Sequence, residues 1–497
     1  MSTTLTTGSA WRVILRFSVP LLIGNVVQQL YQFVDAVVVG RTLGVDALGS
    51  VGATGSLLFL LLGFAWGMTS GFAIPTAQAY GAGDMTAVRR SVASGAILSL
   101  ITSVVLTIAA PLLARPGLEL LGTPPELLDG ATVFAQVSFL GTAALMLFNF
   151  LSAVIRAIGD SRTPLVFLTI SCALNVVLVL LIVAIWNGGV GGAALATVIS
   201  QAVSVILCLV YVRRRLPVLH VRREDWKVTR GELLLHLRLG LPMGFQASII
   251  AIGALAVQAA LNGLGADAVA AYTTGSRVDG LAVALLQSLG LAVSMYVAQN
   301  YGAGRPDRIR RGVVQALIMG VIGAVVLGAL LIAFGSFMVR LFVGDGSDEV
   351  VEMAHLLLIV NGATYVILAV LFVLRGALQG LGRTLVPTVT GFIELIMRVG
   401  AAVIAGGLFG YVGVVFGNPL AWIGAVIVLI PTYIGARRAL AELPVTPADG
   451  VITDTMPISI GLVPDNEAVV GTMLPQPVTG AIMLTPPSPR RRPRAKR

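Results

Sequence analysis

The residue in this chain best placed to do chemistry is an aspartate in the middle of an apolar stretch. Asp35 lies within residues 20–44, PLLIGNVVQQLYQFVDAVVVGRTLG, a run long enough to cross a bilayer, for which about 20 residues suffice. A carboxylate at membrane depth costs about 2.5–3.5 kcal/mol on insertion scales, so it normally faces protein or water and marks an ion or substrate path. Tyr31 is four residues before it and Gln28 seven, so on a helix all three share one face. Pro20 lies about four turns earlier on the same helix, where a proline removes a backbone hydrogen bond and favours a bend. A bendable helix with a protonatable group at mid-membrane reads as a moving part. The plainer reading is a buried hydrogen-bonding residue that pins helix packing.

A second set of ionisable residues falls inside apolar runs of the other half. Arg277 and Asp279 stand in GSRVDGLAVALLQS, and Glu394 and Arg398 form an i,i+4 pair in the favoured acid-before-base order. Two acids against two arginines reads either as a polar cluster that contacts substrate or helps coupling, or as a buried network that fixes the fold. Other chemistry is thinly represented. Cys172 and Cys208 both sit in apolar runs and offer neither a disulfide framework nor a metal site. His220 and His236 fall in a basic loop and His355 near a helix start. There is no Cys/His cluster, P-loop or GxSxG elbow, so the chain is not expected to be an enzyme or to hold a metal.

The elements that must position these groups follow from composition. Apolar residues make up 57% and charged residues 11% of the 497, with mean hydropathy +0.93, whereas a soluble chain carries about 25% charged. The expectation is an all-α integral membrane protein. Apolar runs predict spans over 13–40, 48–74, 91–113, 130–156, 164–186 and 190–212, then 240–262, 270–299, 312–339, 351–379, 386–408 and 411–436. The N-terminal MSTTLTTGSAWR is polar and short, with no removable signal ahead of the first span. Arginines and lysines are lopsided. Arg12, Arg16, Arg89, Arg90, Arg156, Arg162, the stretch 213–238, Arg305 to Arg311, Arg375, Arg383, Arg437 and Arg438 group on one side, against Arg41, Arg115 and Arg340 on the other. By the positive-inside rule both termini are cytoplasmic in a cell or plasma membrane.

The two halves repeat. Gln78-Ala79-Tyr80-Gly81-Ala82-Gly83 returns as Gln299-Asn300-Tyr301-Gly302-Ala303-Gly304, 221 residues later (78 to 299). Leu43-Gly44 and Leu264-Gly265 keep that offset, as do Gly159 with Arg162-Thr163 and Gly380 with Arg383-Thr384. Six duplicated helices keep one orientation, so the halves form a parallel repeat about an axis along the membrane normal. The predicted organisation is an N-lobe over 1–212, a cytoplasmic linker over 213–239, a C-lobe over 240–440, and a disordered basic cytoplasmic tail over 441–497 that ends in PRRRRPRAKR. The tail could touch anionic lipid headgroups, and no nucleic-acid partner is expected.

The pattern Gly24-Asn25, Gln28-Gln29-Leu30-Tyr31, Val34-Asp35, Val39-Gly40-Arg41 and Leu43-Gly44 resembles the first helix of multidrug and toxic compound extrusion (MATE) transporters, in particular their DinF-like branch. QAYGAGD after span two, RAIGDSRTP after span four and RGALQGLGRT after span ten resemble it too. The likeness covers residues 12–440. It implies a twelve-helix, two-lobe antiporter, working as a monomer, that expels amphipathic and often cationic compounds in exchange for protons or sodium, with no other cofactor. By position it implies cation-coupling roles for Asp35, Tyr31, Asn175 and Thr197, with Pro20 as hinge; the second-half cluster of Arg277, Asp279, Glu394 and Arg398 has similar stretches in DinF-like relatives. The family often has an aspartate four residues after that asparagine; here the position is Val179. One carboxylate instead of two favours protons over sodium.

Alternatives from other classes are weaker. A flippase for lipid-linked precursors, within the same superfamily, should bring several arginines into its cavity for a pyrophosphate, and only Arg277 and Arg398 are predicted within spans. A membrane enzyme lacks a nucleophile–base pair. A passive channel would not explain duplicated bundles with one lone acid.

Overall fold

Each predicted apolar run is a helix in the computed structural model, which describes residues 5–343 and 348–443. The N-lobe comprises α1 (Ala10–Leu43), α2 (Val45–Gly81), α3 (Met85–Leu120), α4 (Pro125–Leu140), α5 (Thr142–Ala157), α6 (Arg162–Val179) and α7 (Gly189–Arg215). The C-lobe comprises α8 (Arg230–Asn262), α9 (Ala266–Gly302), α10 (Pro306–Val343), α11 (Asp348–Gly380), α12 (Leu385–Gly400), the short α13 (Gly406–Phe409) and α14 (Tyr411–Val415), and α15 (Gly417–Glu442). Among the described residues, eleven helical stretches are long and apolar enough to cross a membrane, and α4 and α5, bent by 48° at Gly141, make a twelfth when taken as one span. The chain is a multi-pass, all-helical protein of two pseudo-symmetric six-span lobes. Helix α9 is central, with 72% of its most apolar window buried, whereas α3 is peripheral at 17%. On α3, Ile108 and Leu112 point outward, as lipid-facing side chains must.

The helices outrun their apolar cores because their caps lie in polar flanks. Asp84 caps α3 by accepting from Thr86 N at 3.0 Å and Ala87 N at 2.9 Å. Thr229 and Glu232 form a reciprocal capping box that starts α8. The predicted linker therefore shrinks. Residues 213–215 and 230–239 are helical, leaving a connection over 216–229 whose Asp225 is buried, accepting from Arg89 Nε at 3.1 Å and Arg222 N at 2.8 Å. His236 is not a loop residue as the sequence suggested but is buried in α8, 3.0 Å from Ser91 Oγ. The predicted tail, apart from residues 441–443, lies outside the described residues.

The repeat is visible in backbone geometry. Gly44 (φ 90°) and Gly265 (φ 105°) make the corresponding turns into α2 and α9, a conformation that favours glycine. One pairing read from sequence is corrected. The counterpart of Gly159 (φ 90°) is Gly382 (φ 80°), 223 residues on; Gly380 is the last helical residue of α11. Two extra residues enter the second lobe between Gln299 and that turn. Each lobe also carries a π-helical segment, Leu180–Ile185 after α6 and Ala401–Ala405 after α12.

The repeated QxYG motifs seal the lobes at one end. Gly81 and Gly302 lie against the backbone of Gln299 and Gln78 so closely that a methyl group at either would collide with the opposing carbonyl. Gln78 Nε2 donates to Gly380 O at 3.0 Å and Gln299 Nε2 to Ala157 O at 2.6 Å, each crossing to the other lobe. Leu5, buried, closes over this seam, donating its N–H to Gln299 Oε1 at 2.9 Å. Close approach between α2 and α8 continues through Gly71, Gly67 and Gly63 to a Ser248 Oγ–Leu60 O bond of 3.3 Å. Past that point Gly55 and Gly52 of α2 meet nothing within 4 Å. The lobes are joined at the motif end and parted at the other.

Candidate functional site

Three of the predicted N-lobe residues, Tyr31, Asn175 and Thr197, meet around a single hydroxyl. Thr197 of α7 donates to Ala193 O at 3.3 Å, and its Oγ1 lies 3.1 Å from Tyr31 Oη and accepts from Asn175 Nδ2 at 3.0 Å. A hydroxyl has one proton and two lone pairs, so Thr197 is saturated once Tyr31 donates to it. That arrangement consumes the donors and leaves acceptors over. Among the described residues Asn175 Oδ1 is buried with no partner, and so is Asp35 Oδ1 one turn beyond Tyr31. A buried acceptor without a donor costs about 1–3 kcal/mol, and here two stand in one lobe. Val179 is fully buried in an apolar cluster with Val39, Val183, Ala193 and Ala196. The position that could have supplied a second carboxylate supplies packing.

The four charged residues of the second half do not form one cluster. Asp279 of α9 is buried and accepts from Asn361 Nδ2 at 3.0 Å and Tyr365 Oη at 2.5 Å, both on α11. Glu394 is ion-paired to Arg375 of α11, not to Arg398 one turn along its own helix. Arg398 packs against Gly253 of α8, its Nε unpartnered among the described residues. Arg277 is exposed. An i,i+4 rule describes one helix surface in isolation; tertiary packing brought a cation from α11 closer to Glu394.

Between the lobes lies a cavity of about 600 Å³, within the range of small-molecule sites. Pro20, Asn25, Gln28 and Tyr31 line it from α1, Asn175 from α6 and Thr197 from α7. Gln246 of α8, with Gln287 and Ser288 of α9, faces them from the C-lobe. Asn25 Nδ2 donates to Ser288 Oγ at 3.1 Å, so the helix that carries Asp35 is tied across the cavity to the other lobe. Asp35 itself is not among the residues that line the cavity; it lies one turn beyond Tyr31 on α1. Near the sealed end Ser161, Pro164 and Gln379 form the floor together with Arg156 and Arg375.

These two arginines overturn an expectation. The sequence reading grouped them with the charges of one side and counted only Arg277 and Arg398 as intramembrane, although its own spans 130–156 and 351–379 contain both. Arg156 lies in the last turn of α5 and Arg375 well within α11, and both line the cavity, which Arg277 and Arg398 do not. A helix-face count could have found Arg156, because Asn149, Ser152 and Arg156 recur at i, i+3 and i+7 and all line the cavity. For Arg375 the matching signal is Gln379, four residues on.

Known proteins share this architecture. The family model MatE matches residues 20–181 and 242–404. The probable multidrug resistance protein YoeA of Bacillus subtilis (strain 168) is 30% identical over 394 residues, covering 78% of this chain and 85% of the relative. The multidrug export protein MepA of Staphylococcus aureus is 25% identical over 414 residues, covering 82% and 89%. Among solved structures, the outward-facing conformation of a multidrug resistance MATE family transporter of the MOP superfamily superposes with TM-score 0.81 at 23% identity, covering 89% of this chain and 99% of that one. A MOP superfamily transporter from Pyrococcus furiosus, described as having a binding pocket of reverse polarity, gives 0.80 at 22%, covering 88% and 98%.

Proposed function

The chain belongs to the MatE family of multi-pass transporters, and from that premise we propose that it is a secondary active exporter of amphipathic organic compounds driven by inward-moving protons. Relatives named for multidrug resistance and export support the cargo reading. The charge asymmetry of the loops supports cytoplasmic termini in a cell membrane, which makes the sealed end cytoplasmic and the parted end external. Both lobes and the cavity come from one chain, which supports a monomeric unit.

The observation that carries the coupling reading is the unpartnered, buried Asp35 Oδ1. A single proton neutralises this group and converts an orphan acceptor into a donor, and the unpartnered Asn175 Oδ1 is an acceptor in the same lobe. Hard cations such as sodium prefer several oxygen ligands, and Val179 withholds one. Protonation changes the charge and hydrogen bonding of α1, and the Asn25–Ser288 bond conveys that change to the other lobe. The driving force is about 1.4 kcal/mol per pH unit for one proton, and about 2.3 kcal/mol per charge for each 100 mV. The test is transport by purified protein in liposomes with pH and sodium gradients imposed separately. A pH gradient alone should drive export, and Asp35→Asn should abolish it. Wild-type rates in Asp35→Asn would move the coupling to Asp279. Drive by sodium with indifference to pH would overturn the proton assignment.

A second reading, a flippase for lipid-linked precursors, is favoured by one observation, the two arginines on the cavity floor. Flipping of a fluorescent phospholipid faster than in empty liposomes, without drug export, would select it.

A further inference from the structure

We propose that the cavity recognises its cargo through an anionic group, a carboxylate, phosphate or sulfonate on an apolar body, and that Arg156 is the residue that receives it. This rests on the export reading above and names the cargo class for it; it departs from the often-cationic cargo that the family resemblance implied.

Among the residues that line the cavity, the charged ones are Arg156 and Arg375; no aspartate or glutamate is among them. Arg375 is neutralised by its buried partner Glu394. Arg156 forms no ion pair among the described residues. The acid nearest to it in sequence, Asp160, is committed elsewhere. Its Oδ1 accepts from Arg162 N at 3.1 Å and Thr163 N at 3.0 Å, and its Oδ2 from Thr163 Oγ1 at 2.6 Å and Tyr211 Oη at 3.4 Å. That carboxylate starts α6 and has little capacity left for a guanidinium. Asp35 is not among the lining residues.

An uncompensated guanidinium in a partly apolar cavity is costly to keep, and its planar fork fits carboxylate or phosphate oxygens two at a time. The rest of the wall suits the body of such a compound. Phe59, Trp66, Phe148 and Phe372 offer apolar surface, while the amides of Gln201 and Gln379 can donate to an anion as readily as they accept from a cation. A cation entering this cavity would meet amides and an excess positive charge. An anion would meet a partner.

The test uses two probes that differ only in the head, 11-(dansylamino)undecanoate and 11-(dansylamino)undecyl-trimethylammonium, bound to the full chain in detergent without any gradient. The undecanoate should bind at least ten times more tightly. Arg156→Gln should weaken it tenfold or more while leaving the ammonium probe unchanged or tighter, and Arg156→Lys should retain most of the affinity. Equal or stronger binding of the ammonium probe to the wild type would overturn the proposal, even if the variants misfold. So would equal weakening of both probes by Arg156→Gln in a protein that remains monodisperse. Two further arms separate the sources of the anion in proteoliposomes. Arg156-dependent efflux of the undecanoate assigns a free amphiphile, and Arg156-dependent flipping of fluorescent phosphatidate assigns a lipid head; either supports the anionic class. Gradient-driven efflux of the ammonium probe alone would leave the export reading standing and remove this one. Tight undecanoate binding with no transport of either probe would do the reverse.

Discussion

Gln299 of α9 donates its side-chain amide to the Ala157 carbonyl of α5 at 2.6 Å, tying one lobe to the other at the sealed end. Its pseudo-symmetric counterpart Gln78 makes the same crossing to Gly380, so the offset between the two acceptors (157 to 380) equals that between the turn glycines 159 and 382. The same Gln299 also receives the Leu5 N–H. One side chain joins both lobes and the N-terminal segment.

Gln299→Ala should loosen that end. It leaves the Ala157 carbonyl and the Leu5 N–H unpaired, at about 1–3 kcal/mol each. With Cys172 and Cys208 replaced, a cysteine at Ser161 on the cavity floor should react faster with an impermeant thiol reagent in inside-out vesicles. Gly81→Ala should act in the same direction, because its methyl collides with the Gln299 backbone, while Gly55→Ala should be silent. An unchanged labelling rate in both Gln299→Ala and Gly81→Ala would show that the seam is not the barrier.

Thr197→Val should lower Tm more than Tyr31→Phe. The first substitution strands two donors, Asn175 Nδ2 and Tyr31 Oη; the second removes one and leaves the Asn175 bond in place. The double variant should fall by less than the sum, since Tyr31→Phe removes one of the donors that Thr197→Val strands. Strict additivity in a thermal-shift assay would refute the shared-acceptor arrangement.

Removing one member of the Arg375–Glu394 pair should be severe. Glu394→Gln leaves a buried, uncompensated guanidinium, a change that typically costs about 3–5 kcal/mol. Arg375→Leu with Glu394→Leu should recover most of the lost stability, because no charge is then stranded. If Glu394→Gln melts within a degree of the wild type, the pair is not what holds α11 to α12.

Single cysteines placed at Arg89, Arg222 or Arg308 in the same Cys-free background should resist an impermeant reagent in intact cells. Labelling at position 222 from outside would invert the membrane orientation and with it the direction in which the cavity opens.

A chain ending after Ala441 should reach the membrane and transport at the full rate, since α15 ends at Glu442 and the described core lies before it. A lower rate at equal membrane level would assign the remaining segment a role in the cycle.

The number of spans, their duplication and the mid-membrane acid were all legible in the sequence, because each is a one-dimensional signal. Hydropathy over some 20 residues is enough to declare a span, and a repeat at constant offset declares two lobes whatever their packing. That Tyr31, Asn175 and Thr197 belong to one site came from resemblance, not from spacing, since three helices must converge before Thr197 can accept from both partners. What only the tertiary structure decided concerns charges. Arg156 and Arg375 fell inside predicted spans yet were counted only with the charges of one side, because the positive-inside rule registers sidedness and not which way a helix face turns. Glu394 read as the partner of Arg398 while only its own helix was in view; folding placed Arg375 nearer. Asp35, the most conspicuous residue of the sequence, is not among the residues that line the cavity, whereas Arg156, which the sequence had counted with the charges of one side, lines it with no ion-pair partner among the described residues.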